Sequence, residues 1–164
     1  MYKRQVWYFI ANLWSSQANI KYTPNDIAYY QPILAVHEMV DSRLDTVSFL
    51  PMDGPQPKIA LLEDFHNFGS VGPSDVVRHE FIIVNLGEAP LTISRAYTTC
   101  GCTTAEFSAS VIPPGKFSIV TMAYDAGFHD AQGQTIRRGI IIENNDPKNP
   151  QVELWAQVTV RSNP

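Results

Sequence analysis

Val152-Glu153-Leu154-Trp155-Ala156-Gln157-Val158-Thr159-Val160 places an apolar side chain at every second position, with Glu153, Gln157 and Thr159 between them. A period of two is that of a strand with one face on a core and the other in water. The same reading extends back through the chain. Residues 57–62, 76–85, 91–98, 117–124 and 136–143 are rich in β-branched or aromatic residues and bounded by turn formers. In 117–124 both alternating sets are largely apolar, as expected of a central strand.

Turn chemistry separates these segments: Asn85-Leu86-Gly87, Pro113-Pro114-Gly115 and Asn144-Asn145-Asp146-Pro147. Short strands at this spacing, with no long helix among them, predict an all-β, immunoglobulin-like sandwich of about seven strands. Twelve prolines and nine glycines in 164 residues point the same way. The formal charge of −4 and the absence of like-charge blocks argue against a nucleic-acid partner.

The proline-rich stretch Pro51-Met52-Asp53-Gly54-Pro55-Gln56-Pro57 suits an exposed linker, dividing the chain into an arm, 1–54, and a compact domain, 55–164. Eight of the eighteen aromatic residues fall within the first thirty positions, more than so short a segment can bury alone. The expected partner interface comprises Trp7, Tyr8, Phe9, Ile10, Leu13, Trp14, Tyr22, Tyr29 and Tyr30. Val6 to Trp14 is too short to span a bilayer, which takes about 20 residues. Its two tryptophans and an asparagine make a poor signal-peptide core, so it reads as a retained arm whose aromatics sit on a partner or at the headgroup layer. The alternative is a terminal element packed on its own domain.

Thr23-Pro24-Asn25-Asp26 has the form of a helix start with Pro at the first helical position. Pro32 would open a second helix, in which Ile33, Val36, Met39, Val40 and Leu44 recur at helical spacing and His37 is solvated.

Across the domain, several motifs occur in order. They are Asp64-Phe65 to Phe68-Gly69, the run from His79 to Ile93 containing Asn85-Leu86-Gly87-Glu88-Ala89-Pro90, Cys100-Gly101-Cys102-Thr103-Thr104, Pro113-Pro114-Gly115, and Asn145-Asp146-Pro147. Together they resemble the bacterial DUF1573 family over about residues 57–160. The resemblance implies an immunoglobulin-like module of the major-sperm-protein and PapD type, extracytoplasmic, often membrane-anchored or secreted, and without enzymatic activity.

Cys100 and Cys102, the two cysteines of the chain, admit three readings. They can form a tight structural turn or static disulfide, since closing so short a loop gains little chain entropy. They can be a redox pair, although no cation adjoins them in sequence to favour a thiolate. They can bind copper(I), or share zinc with His66, His79 or His129. No nucleophile elbow, phosphate loop or paired carboxylates accompany them; Asp64, Glu106 and Asp125 are scattered. The expectation is a non-enzymatic accessory subunit with no cofactor, periplasmic and peripherally membrane-associated. It would dock on integral membrane subunits of a respiratory, photosynthetic or secretion complex. The alternative is a thiol-redox or copper-handling protein.

Overall fold

The computed structural model describes residues 22–37 and 51–162. They form two five-stranded sheets packed face to face. In chain order the strands are β1 (Ile33–Ala35), β2 (Ile59–Leu61), β3 (Phe65–Val71), β4 (Val76–Asn85), β5 (Leu91–Thr98), β6 (Thr103–Phe107), β7 (Val111–Ile112), β8 (Phe117–Asp125), β9 (Thr135–Asn144) and β10 (Gln151–Val160). One sheet has the order β1-β6-β8-β4-β2 and the other β3-β10-β9-β5-β7. All pairings are antiparallel except β3 with β10.

Ten strands replace the about seven expected, the additional ones being β1, β3, β6 and β7. The edge strand β3 reads Phe-His-Asn-Phe-Gly-Ser-Val, β7 has two residues, and β6 follows directly on the Cys-Gly-Cys turn. In β10, Leu154, Ala156, Val158 and Val160 are buried as the alternation predicts. The central strand is β8, as its two apolar faces foretold. Between the sheets, Phe81 and Ile83 of β4 and Val120 and Met122 of β8 meet Ile140 and Ile142 of β9 and Leu154 of β10.

Residues 22–37, assigned from sequence to the arm, are built into the sandwich. Pro24–Asp26 is a single 3-10 turn with Pro at its start, as the sequence predicts. The second helix is a correction: from Ile33 the chain is extended, and Ile33–Ala35 pairs with Phe107–Ala105 as an edge strand. Pairing with β6 satisfies the backbone along its length, which a short amphipathic helix with nothing to pack on could not match. Nor is His37 a solvated helix residue, because its ring Nδ1 lies 3.0 Å from the Thr98 carbonyl at the end of β5. Met39, Val40 and Leu44 lie outside the described residues.

One end of the sandwich is closed by polar side chains. Asn85 is fully buried; its amide donates to the carbonyls of Ala89 and Ile112, and its Oδ1 accepts from the Gly87 and Lys58 nitrogens. Asp146, 1% exposed, accepts from the backbone nitrogens of Ile59, Lys148 and Asn149. Asn145 joins β5 by accepting from Thr92 N and donating to the Pro90 carbonyl. The Asn-Asn-Asp-Pro motif is therefore a lock, tying β2 of one sheet to the loop after β9 of the other. Gly87 fits because a Cβ there would collide with backbone atoms of Gln56 and Lys58.

Removing the Asp146 carboxylate strands a buried N–H at Ile59 and releases two loop nitrogens. Asp146→Ala should destabilise the domain by about 3 kcal/mol, read from urea denaturation; a loss under about 0.5 kcal/mol would refute the lock.

Candidate functional site

The outward face of the β1-containing sheet is apolar near Phe117 and mixed beyond it. At one end Tyr22, Ile82, Val84 and Phe117 form a separate small core, with Tyr22 edge-on to Phe117 at a ring separation of 5.7 Å. Burial, and then the nearby Asp26 charge, push the Tyr22 hydroxyl above its ordinary pKa. Tyr22 covers Phe117, and residues 27–28 run beside the start of β8: Ile27 forms a parallel bridge to Phe117, and Ala28 N donates to the Phe117 carbonyl. Ser108 Oγ donates to the Ala28 carbonyl from the flank.

Beyond this cover the face opens into a groove of about 990 Å³. Ile27, Tyr29, Ile33, Leu34 and Ile119 supply apolar walls, while Arg78, Glu80 and Glu106 supply charge. Of the eight exposed large hydrophobic residues among those described, four lie between positions 29 and 36: Tyr29 (71% exposed), Tyr30, Leu34 and Val36. Contiguous apolar exposure of this kind marks an interaction surface, whereas scattered single residues do not.

The expected interface residues thus divide. Tyr29 is exposed in the wall of the groove and Tyr30 is exposed outside it; Tyr22 is buried in its own domain. Trp7, Tyr8, Phe9, Ile10, Leu13 and Trp14 lie outside the described residues. Sequence reading missed Leu34, because it took Ile33–Val36 as helix and so placed the exposed positions wrongly.

Cys100 and Cys102 are joined by a disulfide, their Cα atoms 5.2 Å apart. The turn is framed by threonines: Thr98 Oγ1 donates to Cys100 O, Thr103 N donates to the same carbonyl, and Gly139 N donates to Thr99 Oγ1. Cys102 is buried with Val71, Tyr124, Val158 and Val160, whereas Cys100 is half-buried. Folding brings up the cation that the local sequence lacks: Arg138 Nε, on β9, lies 3.2 Å from Cys102 Sγ. No linear signal could have shown it, since the two residues are 36 apart.

Two of the histidines offered as metal partners to the cysteines, His66 and His79, belong to a separate cluster. His66 of β3 and His79 of β4 stack on one another beside Glu63, and neither cysteine joins that cluster. Burial, reinforced by His79, pulls the His66 ring below its ordinary pKa, and Glu63 acts in the opposite sense. His129 packs against Phe128.

A family model described as a protein of unknown function, DUF1573, matches residues 59–158. Among solved structures, a protein of unknown function from Porphyromonas gingivalis W83 is similar, with a TM-score of 0.58 at 23% identity over 63% of this chain and 46% of that one. This chain therefore spans less than half of that protein's length. The ASH/PapD-like domain 7 of human CEP192 matches with a TM-score of 0.50 at 12% identity, over 77% of this chain and 99% of that one. At such identities the likeness is one of fold. No curated protein matches the chain. Among the described residues no helix is long and apolar enough to cross a membrane.

Asp26 follows the groove residues Pro24 and Asn25 and ties this segment to Lys116. Its carboxylate accepts from Lys116 Nζ at 2.6 Å and from Thr23 N at 2.7 Å, and these bonds hold its pKa below the ordinary carboxylate value. A lowered pKa contributes stability above the ordinary Asp range and loses it as pH falls through the folded value. Asp26→Asn should therefore be slightly less stable than the parent at pH 7, by under about 1 kcal/mol for so exposed a pair. The two urea midpoints should converge as pH drops below 4; a gap that stays constant with pH would contradict this.

Proposed function

The chain belongs to the DUF1573 family, and from that membership we propose a non-enzymatic protein-interaction module that serves as an accessory subunit of a bacterial membrane complex. It docks on the extracytoplasmic face of integral membrane subunits, with the groove of the β1-containing sheet as its contact surface and the aromatic arm as its anchor. The carrying observation is the pair of exposed apolar side chains in the groove wall, Tyr29 and Leu34, within a short segment that also exposes Tyr30 and Val36. Tyrosine pairs a large apolar ring with a polar tip and loses little entropy on binding, which suits it to interfaces. The Cys100–Cys102 disulfide supports a periplasmic setting, because such bonds persist in oxidising compartments.

The combined variant Tyr29→Ser, Tyr30→Ser, Leu34→Ser tests this reading in the full chain. All three side chains are exposed, so folding should change little. Co-fractionation with membranes should fall at least about tenfold. Retention equal to the parent chain would refute the docking surface.

A second reading draws on Arg138. An incoming thiolate that attacks Cys100 Sγ breaks the S–S bond, and Cys102 leaves as a thiolate facing the guanidinium, which stabilises it. Arg138→Gln should then slow reduction by dithiothreitol roughly tenfold. Equal rates would leave the pair a purely structural turn.

A further inference from the structure

We propose that Glu63, His66 and His79 form a binding site for one divalent transition-metal ion of the zinc class. The site is separate from the groove and from the cysteines. The three residues come from three elements: Glu63 follows β2, His66 lies on β3 and His79 on β4. One ligating atom from each falls within 4.8 Å of the others, and all three side chains are half-buried.

The fold converges them for a structural reason. β2 ends at Leu61, so the first half of β4 is left as the margin of its sheet, facing the margin strand β3 of the other. His79 shares the inward parity of Phe81 and Ile83, and it meets His66 across the open side of the sandwich, the rings parallel within 9° and 3.5 Å apart. Phe81 packs edge-on against His79, and Phe68 edge-on against His66, both at 4.8 Å. Two imidazoles and a carboxylate thus stand over an apolar floor, and an apolar surround of this kind limits solvent at a metal centre.

Glu63 Oε1 is in direct hydrogen-bond contact with His79 Nε2. A proton there bridges two atoms that an ion would otherwise bridge. Tetrahedral zinc with bonds of about 2.0–2.1 Å needs ligand atoms about 3.3 Å apart. To reach that spacing the Glu63–His79 contact must lengthen, while the ligand atoms that stand farther apart, up to 4.8 Å, must draw together. Two nitrogens and one oxygen select zinc(II), or copper(II) by the general affinity order, over calcium and magnesium, which take oxygen sets. Three protein ligands leave a fourth position for water or for a partner's side chain. Because the ligands belong to both sheets, the ion would also staple the sandwich along its open side.

The experiment uses the untagged full-length chain, stripped with chelator and titrated with Zn²⁺ alone by calorimetry, with Co²⁺ absorbance reporting coordination. The parent chain should take up one Zn²⁺ per molecule, show tetrahedral Co²⁺ bands and melt at a higher temperature with Zn²⁺ present. His66→Gln and Glu63→Gln, both at partly exposed positions, should each weaken binding roughly tenfold or more and abolish the thermal shift. His129→Gln should bind as the parent does. Absence of stoichiometric uptake by the parent, or uptake unchanged in both ligand variants, would overturn the site.

Discussion

The two sheets are held in register at one end by hydrogen bonds from buried side chains: Asp146 accepts from Ile59 N and Asn85 donates to the Ile112 carbonyl, while Asn144 and Asn145 order the same loop. Each is buried, and each would be costly if left without partners. Their partners are backbone groups of β2, β5, β7 and the turns beside them, so both sheets are satisfied by the same few side chains. Apolar burial between the sheets supplies most of the stability but is not directional. The polar lock supplies direction, fixing which strand ends meet and hence where the opposite end, the open side and the outer faces lie.

The candidate surface follows from that placement. With the sheets fixed, the outward face of β8 presents Phe117 and Ile119, and the outward face of β4 presents Ile82 and Val84. The 22–28 segment covers the part nearest the lock, and β1 extends the sheet at its far edge. What remains is a groove flanked by Tyr29, Ile33 and Leu34. The arm is thus two things: residues 22–37 complete the sandwich, and the same residues expose side chains that the sandwich itself has no use for.

Much of this could be read in the sequence, and the failures have physical causes. The alternation in β10, the doubly apolar β8 and the Asn and Pro-Gly turns identified the sandwich, because period and turn chemistry are local properties. The motif around Asn145-Asp146-Pro147 was legible as a turn but not as a lock, since its partners lie up to 87 residues away. The helical spacing of Ile33 and Val36 misled for a similar reason: the free edge of β6 decides the conformation there, and nothing in the segment announces it. Arg138 beside Cys102, and His66 stacked on His79, are likewise products of topology. Local pattern specifies elements, while long-range pairing specifies the chemistry that those elements bring together.

The groove of the β1-containing sheet is the proposed contact surface. Hydrogen–deuterium exchange of the chain, free and bound to bacterial membranes that retain it, tests that proposed contact most directly. Protection on binding should concentrate in residues 27–36 and 117–121, while the outward faces of β9 and β10 exchange as in the free chain. Protection confined to β9 and β10, with 27–36 unchanged, would contradict it.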